Sequence, residues 1–285
     1  MERRNIIGEL FKAAKGEPTI IFALSIVFTL ILFAAFPQFL APTGYERVDL
    51  ANRLVPPGPK YFLGSDFVGR DILSLIIWGS RVALMVTVIP TLISATIGIA
   101  LGIISGYVGG YVDDAVMRGV DILMSFPGLL LALAIINVLG PGLWNAMWSV
   151  TIGRISGYTR LSRSLTFSVK ETGYIEYARA LGSSRNRIMV RHIFPNILTP
   201  IIVQMTFSMP GTLLSVAGLS FLGLGPSPPT PDWGVLMQQS RAYLVYAPWA
   251  AVVPGLAIFL VAFSFNTIGE TLRDIIDPRR KYLKL

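Results

Sequence analysis

The chain has 285 residues, 53% of them hydrophobic and only 14% charged, with a mean hydropathy of +0.63. A soluble chain carries about 25% charged residues, and the 24 basic and 16 acidic side chains here are too few to cover a core of this size. The absence of cysteine excludes disulfides, thiolate zinc sites and iron–sulfur clusters. A single histidine, His192, excludes HExxH chemistry and His-based triads, and with no Gly-Lys pair there is no Walker A phosphate cradle.

Residues 18–45, 82–112, 122–153, 192–231 and 242–269 contain no Asp, Glu, Lys or Arg. Each window exceeds the roughly 20 residues of a spanning helix, so the pattern is that of an all-α, polytopic membrane protein. The first span, Thr19 to about Leu40, follows a basic start with Arg3, Arg4, Lys12 and Lys15. Its apolar run Thr19–Phe36 is too long for a signal-peptide core. In the next segment Asp66 and Arg70 stand four apart and could pair on a short external helix, with Ile72, Leu73, Ile76 and Ile77 as its apolar face, or the segment is a locally stabilised loop.

The second span, about Val82–Tyr107, carries Gly98, Gly102, Gly106 and Gly110 after Ser94. A small residue at every fourth position makes a groove for close helix packing, within the bundle or against another subunit. The window 122–153 is interrupted by Pro141-Gly142, which divides it into spans of about Asp113–Leu139 and Leu143–Phe167. The latter holds Arg154, Arg160 and Arg163. Arg160 and Arg163 are expected to snorkel to headgroups, whereas Arg154 lies deeper and faces a water-filled cavity or a neighbouring helix.

Segment 170–195 reads as an Arg-rich hairpin. Tyr174–Leu181 favours a helix, Gly182 ends it, and Ser183 or Ser184 caps a second short helix that stops before Pro195. The fifth span, about Ile197–Leu222, has Gln204, Ser208, Thr212 and Ser215 at helical spacing on one face. Such a polar stripe is an interhelical hydrogen-bonding seam or the wall of a translocation path. Pro226–Trp233 is a stiff external connection with Trp233 as an interfacial anchor, and Pro248–Gly269 is the last span.

Charge bias selects six spans over five. With six, and both termini cytoplasmic, 18 of the 24 Lys and Arg lie inside. The basic balance is therefore an orientation signal and not a nucleic-acid footprint.

Glu176-Tyr-Ala178-Arg-Ala-Leu-Gly182, followed by His192-Ile-Phe-Pro195, resembles the EAA motif of permease subunits of binding-protein-dependent ABC importers. Tyr177 departs from the motif's usual first Ala, and His192 from its usual Ile. Three further stretches resemble the C-type subunit of the dipeptide/oligopeptide/nickel branch. They are Leu63-Gly-Ser-Asp66-Phe-Val-Gly69-Arg70-Asp71-Ile-Leu-Ser74 with Gly79-Ser-Arg81, then Leu219-Ser-Phe-Leu-Gly-Leu-Gly225 with Trp233-Gly234, and finally Phe265-Asn266 through Asp277-Pro278-Arg279.

The resemblance implies a type I importer permease fold in the cell membrane, and import of dipeptides or oligopeptides delivered by an external binding protein. Nickel or oligosaccharides are the alternative cargo. It implies a second, homologous permease subunit and two ATP-binding subunits that hold ATP and magnesium, while this chain, set in membrane lipid, binds no cofactor or metal and is not itself an enzyme. Glu176, Tyr177, Ala178, Arg179, Ala180, Gly182 and Ser183 would form the coupling helix seated in the ATPase. Residues 1–81 would form an N-terminal region with the first span, and 82–285 the permease core. A secondary transporter or channel, the rival class, should carry an acidic residue deep in a span, and no assigned span does.

Overall fold

A computed structural model describes residues 17–276. The basic stretch from Arg3 to Lys15, and the C-terminal motif from Asp277 onward, lie outside the described residues. Those described are helical, with one isolated antiparallel bridge between Ser65 and Asp71.

Helix α1 (Pro18–Ala35) ends at Phe36-Pro37 and is followed by the single turn α2 (Pro37–Leu40), so the expected first span is broken near its end. Pro37 has no N–H to continue the ladder. The carbonyls left open at the end of α1 are met from a distant helix. Arg81 Nε donates to Ala34 O at 2.6 Å and its Nη2 to Ala35 O at 3.3 Å, a cation at a helix C-terminus.

Helix α3 (Ile72–Val108) is 37 residues long, about 55 Å at helical rise, and passes through residues 81 and 82 without a break. Asp71 caps it, accepting from Ser74 N at 2.8 Å and Ser74 Oγ at 2.6 Å. Of the two forms open for the segment around Asp66 and Arg70, the structure shows the stabilised loop and not the separate external helix. These two residues lie in the turn before α3, and Ile72, Ile76 and Ile77 belong to the first buried turns of α3 itself. The cause is local: Asp66 Oδ1 accepts from the backbone N–H groups of Val68 and Arg70, which closes a turn in place of a helix.

The span expected over 113–139 is two helices, α4 (Gly110–Met124) and α5 (Gly128–Leu139), bent by 91°. Pro127 cannot donate to the α4 ladder and disfavours helical backbone at Phe126. Helix α6 (Leu143–Lys170) follows and packs along α3. Cβ atoms added at Gly98, Gly102 and Gly106 would meet Tyr158 Cβ at 2.5 Å, Thr159 O at 2.5 Å and Thr166 Cβ at 2.9 Å. The glycine groove of α3 is therefore filled by α6 of the same chain. Gly110 stands apart from it: it opens α4 at φ +55° with open space around it.

Helices α7 (Gly173–Ala180) and α8 (Arg185–Ile188) make the hairpin. The second arm does not stop before Pro195. It continues through a π-turn, Met189–Ile193, into α9 (Phe194–Leu219), and Arg185–Leu224 forms a continuous 40-residue helical run. Pro195 falls inside this run, directly after the π-turn, where its missing N–H takes one bond out of the ladder. A second π-turn, Ser220–Leu224, ends α9, then α10 (Trp233–Ser240) and α11 (Trp249–Ile276) complete the bundle.

Helices α1, α3, α9 and α11 pack on one another around a core of Val86, Ile136, Val216, Leu219 and their neighbours. By length and composition α1, α3, the run containing α9, and α11 are apolar enough to cross a membrane, and the bent α4–α5 pair would make a fifth span. Helix α6 is long enough, with 28 residues, but carries a polar, largely buried face turned to α3.

Candidate functional site: the hairpin and the cavity at the bend

The hairpin is shaped by its turn. Gly182 has φ +78°, Gly182 N donates to Arg179 O at 2.9 Å and Ser183 N donates to Ala178 O at 3.0 Å. This pair of bonds is the Schellman arrangement, which needs a left-handed residue after the helix and so favours glycine. Ser184, not Ser183, caps the second arm, accepting from Arg187 N at 3.4 Å.

At its base the hairpin is anchored. Ile175, Ile188, Ile193 and Ile197 are fully buried with Ile103 and Tyr107 of α3. Arg179 lies over the Tyr107 ring at 5.3 Å, and the Tyr174 and His192 rings are 6.4 Å apart. At its tip the hairpin is bare. Tyr177 is 75% and Leu181 86% exposed, and Glu176, Arg179, Ala180 and Gly182 are exposed beside them, with Ala178 and Ser183 half-buried. Two large apolar side chains are thus left exposed at the tip of a well-anchored element.

The second feature is a cavity of about 300 Å³ in the angle of the α4–α5 bend, walled by α6 and α9. Arg154, Ser156, Tyr158, Gln204 and Ser208 supply its polar lining, and Met124, Phe126 and Leu131 stand on its apolar side. Three of the five candidate path residues thus meet in one space. The other two do not line it. Thr212 is fully buried and pairs with Thr91 of α3 at 3.3 Å, and Ser215 Oγ donates to Gly211 O at 2.6 Å in its own helix. The polar stripe of α9 divides accordingly into a cavity wall at one end and an interhelical seam at the other.

The arginines of α6 part company as well. Arg160 and Arg163, expected to snorkel, each pair with a carboxylate of the same chain. Arg160 Nη2 pairs with Asp121 at 2.7 Å, and Arg163 makes a bidentate pair with Asp113, which also accepts from Ser105. Both carboxylates belong to α4, whose bend brings it alongside α6. Arg154 has no such partner among the described residues.

Two residues passed over in the sequence complete the cavity. Tyr158 hydrogen-bonds Ser208, and a Cβ at Gly211 would lie 2.9 Å from Arg154 Nη2, so Gly211 leaves the space in which the guanidinium rests. Tyr158 stands four residues after Arg154, and that spacing alone puts it on the same face.

At the opposite end of the bundle, residues 41–71 form a lid seated on α10 and α11. Arg70 Nε pairs with Asp66 Oδ2 at 2.6 Å, and Arg70 Nη2 donates to Gln239 Oε1 of α10 at 3.2 Å. Trp249 Nε1 donates to Ser65 O at 3.3 Å. Trp233 is not an interfacial anchor. It is only 4% exposed, its Nε1 donates to Ile76 O at 3.3 Å, and Gly79 gives up the room for its ring. Among the described residues no group of three His, Cys, Asp or Glu is placed to hold a metal ion.

Long apolar helices, a polar cavity at a helix bend and a bare hairpin on a rigid base define a multi-pass membrane transport protein. The chain belongs to the binding-protein-dependent transport system inner membrane components, whose sequence pattern matches residues 98–282. It is 40% identical over 273 residues to the dipeptide transport system permease protein DppC of Alkalihalophilus pseudofirmus. It is 41% identical over 274 residues to the glutathione transport system permease protein GsiD of Shigella flexneri. Each match covers 96% of this chain and 90% of the relative. Among solved structures, the inward-facing MetNI methionine ABC transporter matches 70% of this chain and 96% of its own, with a TM-score of 0.55 at 20% identity. An amino acid ABC transporter matches with a TM-score of 0.50 at 17% identity. These likenesses are of fold.

Proposed function

We propose that this chain is one of two membrane-spanning subunits of an ATP-driven importer of short peptides, with six spans and both termini in the cytoplasm. The observation that carries the proposal is the hairpin: a rigid element with an apolar tip, built into the same helical run as one wall of the cavity. ATP and magnesium act on two separate ATPase subunits, which take the hairpin tip from Glu176 to Ser183 into a groove. A homologous permease subunit completes the path, and an external binding protein delivers the cargo to the lid side. The first helix and the lid form the N-terminal region, and the helices from α3 onward the permease core.

The mechanism follows from continuity. From Arg185 to Gln204 the run covers about 29 Å of helix, with buried isoleucines at its base and no loop to absorb a displacement. Movement of the tip by the ATPases is therefore delivered to α9, and shifts Gln204 and Ser208 against Arg154 and Tyr158. Close-packed elements change between discrete arrangements and do not deform continuously. The cavity accordingly opens to one side or the other as the ATPases close and part. Peptides are favoured as cargo by the dipeptide and glutathione relatives.

The test is reconstitution of the full complex in proteoliposomes with its binding protein. ATP-dependent uptake of a labelled dipeptide is expected, and no ATP hydrolysis by the purified single chain. Failure of the chain to co-purify with ATPase subunits would overturn the reading. Orientation is checked by Ser184→Cys, since the native chain has no thiol. A membrane-impermeant maleimide applied to intact cells should leave it unlabelled.

A further inference from the structure

Arg154 poses a question that the packing of the bundle does not answer. It stands eleven residues from the start of the 28-residue α6, about 17 Å along the helix axis, which in the proposed six-span arrangement is near the middle of a span. A cation at that depth is costly unless it is paired or hydrated. The other arginines of the same helix are paired with Asp113 and Asp121, but no carboxylate among the described residues pairs with Arg154. Its guanidinium is not there to hold the fold together. It rests over Gly211, against a cavity that also presents the Gln204 amide and the Tyr158–Ser208 hydroxyl pair.

We propose that Arg154 is the anion-binding group of the translocation cavity and takes the terminal carboxylate of a short peptide. The proposal deepens the importer reading and rests on it. A guanidinium presents parallel N–H donors matched to the two oxygens of a carboxylate, and their charge-assisted bonds are the stronger kind. Gln204 has an amide with no hydrogen-bond partner among the described residues, and it can both donate to and accept from a peptide bond. A volume of about 300 Å³ lies at the small end of the roughly 300–1,000 Å³ range of ligand sites and suits a peptide of few residues. Gly211 is a positioning residue: a Cβ there would already press on Arg154 Nη2 at 2.9 Å, and a branched side chain would push the guanidinium from its seat.

The proposal also accounts for the bend. Only because α4 turns away at Ser125–Pro127 does α6 face open space at Arg154 and not a packed neighbour. A discontinuous helix at mid-membrane depth beside an unpaired charge is a physical arrangement that suits a passing polar solute.

The experiment uses the complete transporter, with both permease subunits, the ATPases and the binding protein, in proteoliposomes. Uptake of dialanine and of dialanine amide is compared for the wild type, Arg154→Gln, Arg154→Lys and Gly211→Leu. The same binding protein serves every variant, so a change in the acid-to-amide ratio belongs to the permease. Arg154→Gln is expected to lower dialanine uptake at least tenfold and to bring the ratio toward one. Arg154→Lys should keep more than a third of the uptake together with the preference for the acid, and Gly211→Leu should resemble the Gln variant while retaining the charge.

If Arg154→Gln disturbs assembly, as co-purification would reveal, the ratio in Gly211→Leu and Arg154→Lys decides. An unchanged ratio in Arg154→Gln or Gly211→Leu, or an equal loss of acid and amide uptake, overturns the site while leaving the importer reading intact. Absence of ATP-dependent dipeptide uptake by the wild type overturns the importer reading itself, and the carboxylate ligand with it.

Discussion

At Asp66 a single carboxylate satisfies three donors, the backbone N–H groups of Val68 and Arg70 and the Arg70 guanidinium, with both side chains buried. Removing one member of a buried pair strands the other charge, at a cost of about 3–5 kcal/mol. Asp66→Ala should therefore lower the unfolding temperature of the detergent-solubilised complex by several degrees. Replacing both residues, as Asp66→Ala with Arg70→Leu, should cost less than the sum of the single changes. A strictly additive double-mutant cycle would show that the pair does not hold the lid.

Asp232 shows a second kind of carboxylate. It caps α10, accepting from Val235 N at 2.9 Å, but burial pushes its carboxyl above the usual range. A folded-state pKa raised above the unfolded value gives stability that is full below the unfolded pKa and lost as pH rises through the folded one. Asp232→Asn keeps an acceptor for the cap and removes the titration. The variant should melt above the wild type at pH 8, with the difference shrinking as the pH is lowered toward 4. A difference independent of pH would mean that burial does not raise the Asp232 carboxyl above its unfolded value.

At the scale of elements, the α3–α6 contact depends on backbones that touch. A methyl at Gly102 would lie 2.5 Å from Thr159 O, which cannot move without moving α6, whereas Gly119 in α4 has open space around it. Both positions are mid-helix, so propensity alone favours alanine at each by about 1 kcal/mol. Gly102→Ala is expected to lose assembled complex, read by size-exclusion chromatography, and Gly119→Ala to keep it. Equal behaviour of the two would remove the groove as the reason for the glycines. The same comparison explains why Gly110, spaced correctly in the sequence, is not part of the seam. The helix carrying the repeat ends at Val108, before the fourth glycine arrives.

The whole molecule joins the hairpin to the cavity through one helical run, so a defect at the tip should be felt in transport before it is felt in folding. Gly182 has a left-handed backbone but nothing within 4 Å of the space a Cβ would take. Within the chain, Gly182→Asp therefore strains only the backbone, by about 1–2 kcal/mol, and any larger effect comes from what docks on the tip. Peptide uptake is expected to be abolished while the chain still inserts. Pull-down of the ATPase subunits then separates lost docking from lost force transmission. Wild-type uptake by Gly182→Asp would remove the tip as the coupling surface.

What the sequence determined by itself is what short-range rules govern. Charge-free windows marked the apolar helices, the Gly182 and Ser184 signals marked the hairpin turn, and four ordered motifs marked the family. These are legible because helix periodicity, capping and hydropathy act within a few residues. The tertiary structure alone decided which partner each polar group took. Asp113 and Asp121 claim Arg163 and Arg160 and leave Arg154 to the cavity, and Gly79 makes room for a tryptophan expected at the membrane surface. Each choice joins residues far apart in the chain: 39 positions for Arg160 and Asp121, 50 for Arg163 and Asp113, and 157 for Trp233 and Ile76. In a medium that offers no hydrogen bonds, a buried charge or donor must take whatever partner the packing brings within reach, and the packing is a property of the whole fold.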